Sequence, residues 1–316
     1  MKKIVLALVV GIPLVFAILI ALYPEQMGQW VYDNSMSTEA SVYGFSEQAI
    51  PIEGMSLSVY RNSSNLGSDK PSILMLHGYS AEKTVWLRFA RHLTDDFNII
   101  IPDMAGHGHT GFDPSWDYTG PAQAARLVAL LDRLQIQKVH VIGNSMGGFI
   151  AAHFARLYPE RTITATLVDP AGVTSPEPSV MGEMLAKGQN PFQVNSREEF
   201  DTFYGMTMAK PPFVPDFVKA GVAERYQARK EELQVIFEDF YGKNLLDNEL
   251  SSITSPVLIM WGGKDELIHV SSAKVWDDGL PNSELKIWPE IGHMPMVEIP
   301  EESASVYRNF LNKHKD

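Results

Sequence analysis

The sequence predicts an α/β fold with a mostly parallel central sheet and helices on both faces, and three observations carry that expectation. Continuous apolar segments of strand length, among them Ser72-Ile-Leu-Met-Leu76, Asn98-Ile-Ile-Ile101 and Ile163 to Val168, alternate with helical patterns. Unbroken apolar strands belong to a sheet covered on both faces, which is where crossover helices put parallel strands. One unit of the alternation, Lys138 to His153, reads as a β-branched strand, a tight turn Gly143-Asn-Ser-Met-Gly147 and an alanine-rich helix start. Finally, the alternation stops near Thr174 and resumes at Pro256, so a block of different character is inserted after the sixth strand.

Taken in order, Met1-Lys-Lys3 precedes an uncharged run from Ile4 to Tyr23. About 20 apolar residues suffice to cross a bilayer. The leading lysines favour a cytoplasmic N-terminus and an exported body. Residues 1–23 are therefore expected to be a signal anchor or transmembrane helix, with the body in the periplasm or cell envelope. A cleaved signal peptide, giving a secreted protein, is the competing reading, although Ala17 to Tyr23 offers no clean Ala-x-Ala site. Residues 24–45, polar and aromatic, read as a tether that packs on the body. Ser46–Ile52 and Met55–Arg61 flank Glu53-Gly54 as an antiparallel hairpin. Pro121 to Leu134 has apolar residues at helical spacing. The core is assigned to residues 46–173 and 252–316. Residues 174–251, rich in Met, Phe and Pro with helical stretches near 197–204 and 223–241, are assigned to a helical cap or lid. Pro256 to Met260, a helix near Ser271 to Gly279, Glu284 to Trp288 and a helix from Glu301 to Lys313 resume the core pattern.

Composition sets bounds. With 316 residues, 45% hydrophobic and 20% charged, the chain is an ordinary globular one. A net charge of −12 argues against nucleic acid and against electrostatic docking on anionic lipid. The absence of cysteine excludes disulfides, thiolate chemistry and Cys-based metal sites. Nine histidines show no His-Glu-x-x-His spacing, Gly106-His-Gly-His109 being the nearest approach, so no metal is expected; no organic cofactor is expected either.

The chemistry centres on Ser145. In a Gly-x-Ser-x-Gly turn the serine takes a strained conformation that lifts its hydroxyl above the sheet, and the chain packs too closely two residues to either side for a side chain. A serine hydroxyl becomes a nucleophile when a base takes its proton and a carboxylate holds that base. Ligands of open α/β sheets bind at the carboxyl ends of strands, so the partners are sought just after other strands. Asp265 follows Pro256–Met260 through Trp261-Gly-Gly-Lys, and His293 follows Glu284–Trp288 through Pro-Glu-Ile-Gly. Asp169 also follows a strand and is a rival acid. Asp103, beside Gly106-His-Gly108, reads as a loop-shaping residue, and His153 as a packing or surface residue of the helix after the turn.

These stations, in this order, resemble the α/β-hydrolases over roughly residues 46–313: Leu76-His-Gly-Tyr-Ser-Ala-Glu-Lys-Thr-Val-Trp86, Gly143-Asn-Ser-Met-Gly147, Trp261-Gly-Gly-Lys-Asp265 and Gly292-His293. Asp103-Met-Ala-Gly-His107, Asn144-Ser-Met-Gly-Gly148, Asp169-Pro-Ala-Gly172 and the apolar N-terminus are similar to membrane-associated monoacylglycerol lipases and bacterial family V true lipases. The resemblance implies a Ser145–Asp265–His293 triad, an oxyanion hole from the backbone N–H groups of Tyr79 and Met146, and His77 orienting that loop at the substrate site. It implies a lipid-ester substrate such as an acylglycerol. Met184, Phe192 and Phe213 are then candidates to line an acyl tunnel, or else they form the small core of the cap. A short-chain carboxylesterase, a carbon–carbon bond hydrolase of aromatic catabolism and a non-catalytic binding protein remain the alternatives.

Overall fold

The computed structural model describes residues 13–63 and 70–314. Eight strands form one sheet: β1 (Ser46–Ile52), β2 (Met55–Arg61), β3 (Ser72–Leu76), β4 (Asn98–Pro102), β5 (Val139–Asn144), β6 (Thr162–Val168), β7 (Val257–Gly262) and β8 (Ser283–Trp288). Their order is β1-β2-β4-β3-β5-β6-β7-β8. Only the β1–β2 and β2–β4 pairs are antiparallel; every pair from β4 to β8 is parallel. The hairpin turns on Gly54 at φ 77°, with Ile52 opposite Met55.

The apolar runs have a direct packing cause. All residues of β3, β5 and β7 are buried. Successive side chains of a strand point to opposite faces, and the two faces fill two separate cores. Leu74, Val141, Leu167 and Ile259 join one core, whereas Ile73, Ile142, Val168 and Leu258 join the other. The first is covered by the helices Gly120–Arg133 and Met146–Leu157, and the second by Leu87–Ala90 and Pro300–Lys313. Burying each such side chain contributes roughly 1.5–3 kcal/mol. At the β8 edge Glu284 is exposed and Lys286 is half-buried, charges that discourage further strand pairing.

Between β6 and β7 lie four α-helices, Val180–Ala186, Arg197–Thr207, Asp216–Ala228 and Lys230–Phe240, and a 3-10 turn at Leu250–Ser252. Ser179 caps the first by accepting the Gly182 N–H at 3.0 Å. Ser196 caps the second through the Glu199 N–H at 3.2 Å, while Glu199 reaches back to the Asn195 N–H at 2.7 Å, a variant of the reciprocal capping box.

The segment expected as a tether is mostly helix, here α1 (Pro24–Val42). Proline opens it at a position whose N–H would be unpaired in any case. Gly44 closes it at φ 82°, with the Phe45 N–H donating to Ala40 O at 2.8 Å and the Gly44 N–H to Ser41 O at 3.0 Å, a Schellman ending. α1 crosses Asp216–Ala228 with the backbones in contact: a Cβ added at Gly28 would collide with Phe217 O, and one at Gly221 with Gln29 N. The expected anchor falls largely on residues 1–12, outside the described residues. Residues 13–22 are helical, but no helix among the described residues is long and apolar enough to cross a membrane. An apolar anchor helix over residues 1–23 is therefore not shown among the described residues.

Candidate active site

β5 delivers Ser145 to the middle of the sheet's carboxyl edge. The serine sits at φ 57°, ψ −119°, a region that costs a non-glycine residue of order 1–3 kcal/mol and persists only when its surroundings impose it. They do: the Ser145 N–H donates to Val168 O at 2.9 Å, and its carbonyl accepts the N–H groups of Phe149 and Ala171 at 3.0 and 3.1 Å. The flanking glycines are required by contact. A side chain at Gly143 would strike Gly147 O, and one at Gly147 would strike Leu76 O.

The loop after β3 lies against this turn, since a Cβ on Gly78 would be 3.2 Å from Ser145 Cβ. His77 pins the loop with both ring nitrogens. Its Nε2 accepts the Met104 N–H at 2.9 Å, which assigns the proton to Nδ1, donating to Gly78 O at 2.8 Å. Burial holds the His77 pKa below the ordinary histidine range, in keeping with this neutral tautomer. Next to it, the Tyr79 hydroxyl donates to Leu233 O at 2.6 Å. Its ring meets Phe192, Phe240 and Phe237 at 4.8, 5.3 and 5.6 Å between centroids. Met146, the other expected oxyanion donor, is the first residue of the 12-residue helix after the turn.

Asp265 and His293 come together from the loops after β7 and β8. His293 Nδ1 and Asp265 Oδ2 are 2.7 Å apart, and both residues are buried. Asp265 Oδ1 accepts the N–H groups of Leu267 and Ile268 at 2.8 and 2.9 Å, so the carboxylate is oriented by backbone donors as well as by the ring. Asn144, immediately before the serine, donates from Nδ2 to His293 O at 3.0 Å and to Val168 O at 3.2 Å. This residue joins the turn to the histidine loop, a function that sequence reasoning missed; its place inside the Gly-x-Ser-x-Gly motif was the available signal.

Asp169, the rival acid, is fully buried beside this pair but does not hold the imidazole; its Oδ1 accepts the Gly262 N–H at 2.8 Å. Facing atoms of Asp169, Asp265 and His293 lie within 4.8 Å of one another, the geometry of a potential metal cluster among the described residues. Here the Asp265 and His293 atoms are turned to each other and to backbone donors. Asp103 shapes its loop, accepting the N–H groups of Lys83 and His109, both at 2.8 Å, and pairing with Lys83 Nζ. Of the residues expected at the substrate, Phe192 is buried against Tyr79 and Met184 is half-buried against the same core. Phe213 is not brought to them: it is 91% exposed in Lys210-Pro-Pro-Phe-Val-Pro215, where three prolines keep the chain extended.

A family model described as alpha/beta hydrolase fold matches residues 71–300. Lipase 1 of Psychrobacter immobilis is 32% identical over 255 residues, covering 80% of each chain. A monoacylglycerol lipase of Mus musculus is 29% identical over 256 residues, covering 77% of this chain and 76% of its own. The crystal structure of a membrane phospholipase A, described as a bacterial virulence factor, superposes with a TM-score of 0.86 at 31% identity over all of both chains. Sheet order, the glycine-bounded serine turn and these matches lead to one assignment: the chain belongs to the α/β-hydrolase family.

Proposed function

We propose that the protein is a serine ester hydrolase of the lipase type, acting on acylglycerols or related lipid esters. The observation that carries this reading is the buried 2.7 Å contact between His293 Nδ1 and Asp265, tied through Asn144 to the strained turn bearing Ser145. Asp265 accepts from Nδ1–H, which leaves Nε2 as the nitrogen that takes the Ser145 proton. Ser145 Oγ attacks the ester carbonyl, and the oxyanion is met by the N–H groups of Tyr79 and Met146. The first N–H groups of a helix have no partner within it and carry the positive end of its dipole. A donor of this kind is worth about 3 kcal/mol in the transition state. Collapse of the tetrahedral intermediate expels the alcohol, protonated by His293 Nε2–H, and leaves an acyl-serine. Water, deprotonated by the same nitrogen, then attacks the acyl carbonyl and releases the fatty acid and Ser145. The residues named require no metal or organic cofactor for these steps.

A lipid substrate is supported by the aromatic wall around Tyr79, where Phe192, Phe203, Phe237 and Phe240 gather from the segment between β6 and β7. In this reading residues 174–251 are the cap and residues 46–173 and 252–316 the catalytic core. Leu14, Val15, Ile18 and Leu22 are exposed, which supports the N-terminal segment meeting a membrane, and Lys2 and Lys3 ahead of it favour a catalytic domain on the exported side. A short-chain carboxylesterase is the second reading, and one experiment separates the two. Turnover of nitrophenyl esters and glycerides of increasing chain length is measured with and without micelles. Preference for long chains supports the lipase, a maximum at acetate or butyrate makes the enzyme a carboxylesterase, and no turnover of any ester rejects the hydrolase reading.

A further inference from the structure

Asp169 takes no part in the mechanism above, yet it is built into the site. It opens Asp169-Pro-Ala-Gly172 after β6, with its backbone at φ 45°, a left-handed value that aspartate adopts more readily than most residues. Its N–H donates to Met260 O at 2.9 Å, and its Oδ1 accepts from the Gly262 N–H at 2.8 Å. Its Oδ2 is buried and receives no donor. The carboxylate of Asp265 stands beside that of Asp169: one ligand atom each of Asp169, Asp265 and His293 lie within 4.8 Å of one another.

Two ionised carboxylates that close, both buried, repel strongly, and one of them keeps its proton. The donor sets decide which. Asp265 receives three N–H groups, from Leu267, Ile268 and His293, whereas Asp169 receives one. The charge therefore rests on Asp265 and the proton on Asp169 Oδ2, where it turns an orphaned acceptor into a donor.

We propose that Asp169 is a positioning residue of the reaction: it stands as a neutral carboxylic acid behind Asp265, donates a hydrogen bond to that carboxylate and holds it square to His293. Burial first, and then the Asp265 charge, push the Asp169 carboxyl well above the usual carboxylate range; Glu298 adds to this, and the Gly262 N–H opposes it. The remaining charged or titratable group of the cluster is His293 itself. The inference rests on the serine-hydrolase reading for its kinetic consequence, and on geometry alone for the protonation state.

The test has a kinetic and a spectroscopic arm. Asp169→Ala removes the donor, so kcat should fall tenfold or more at little-changed KM. Asp169→Asn keeps shape and donor and should recover most of that loss, to within threefold of the native enzyme. Infrared difference spectra at pH 7 should show the carbonyl stretch of a neutral carboxylic acid in the native protein that is missing in Asp169→Asn. The same band should shift in Asp265→Asn, where its acceptor is no longer an anion. Should the Asp169 variants fail to fold, the native and Asp265→Asn spectra decide. No neutral-acid band at pH 7, a band unmoved by Asp265→Asn, or Asn costing as much as Ala overturns the proposal. Absence of ester turnover in the native enzyme rejects the hydrolase reading and the positioning role together, while the band still reports the proton.

Discussion

At the scale of single residues, the strained Ser145 turn and the buried His293–Asp265 contact make separable demands. Ser145→Ala removes only a hydroxyl, so the fold should survive while nitrophenyl-ester turnover falls by roughly 10⁶-fold, the scale of losing a catalytic serine. Retained turnover would remove Ser145 from the mechanism. Asp265→Asn should lower kcat by roughly 10⁴-fold, because an amide no longer holds the imidazole in the tautomer with Nε2 free to accept. Gly147→Ala is a different experiment. Its Cβ would press on the β3 backbone at Leu76 O, and overpacking of that kind costs roughly 1–3 kcal/mol or more. Thermal unfolding should show a lowered Tm alongside lost activity; a native Tm would mean that the turn yields easily. The glycine spacing was legible in the sequence because it is local. Asp265 was preferred to Asp169 through the resemblance and not through position, since both follow strands. What distinguishes them is that the 2.7 Å contact to Nδ1 is made by Asp265.

At the scale of elements, α1 joins two parts of the molecule that are distant in sequence. It meets the helix Asp216–Ala228 through Gly28 and Gly221, through Gln29 to Glu224 at 3.1 Å and through Asp33 to Arg225 at 2.6 Å. It meets the segment after β3 through Tyr32 to Glu82 at 3.0 Å and Glu39 to Arg88 at 2.7 Å. Gly221→Val should push the helices apart and destabilise by about 2 kcal/mol, with faster proteolytic cutting between residues 24 and 45 as the specific readout. Unchanged cutting would show that α1 is held by its polar ties alone. The parallel strands were readable because burial on both faces leaves an unbroken apolar run. α1 was not, because its contact surface is made of glycine and polar residues, and its partner lies almost 200 residues further on. The helices Val180–Ala186 and Asp216–Ala228 were missed or misplaced for a related reason: they are short or weakly amphipathic, and they form where tertiary packing supplies what local pattern lacks.

At the scale of the whole molecule, buried titratable groups set the response to acid. His77, His107, His140 and His153 are all buried with pKa values lowered by burial, His140 and His153 to about 4. A histidine whose folded pKa lies below its unfolded value near 6.5 is protonated more readily in the unfolded chain, so stability falls as pH drops from about 6.5 towards 4. For His140 and His153 the full window amounts to roughly 3 kcal/mol apiece. Asp169 works in the opposite direction. Its raised carboxyl keeps a proton in the folded state that the unfolded chain releases above about pH 3.9, which lowers stability as pH rises. Four histidines outweigh one aspartate, so Tm should decline steadily from pH 6.5 to 4.5; a flat profile would mean that these rings are not buried neutral.

By itself the sequence determined the alternating α/β architecture, the turn around Ser145 and the order of Ser145, Asp265 and His293, because strand periodicity, glycine spacing and chain order are local or one-dimensional properties. Only the tertiary structure decided which carboxylate meets His293, that Asp169 is buried behind it, that Asn144 ties the serine turn to the histidine loop, and that residues 24–42 form a helix crossing Asp216–Ala228. Each of these depends on distances between groups far apart along the chain, and no pattern within a short window encodes them.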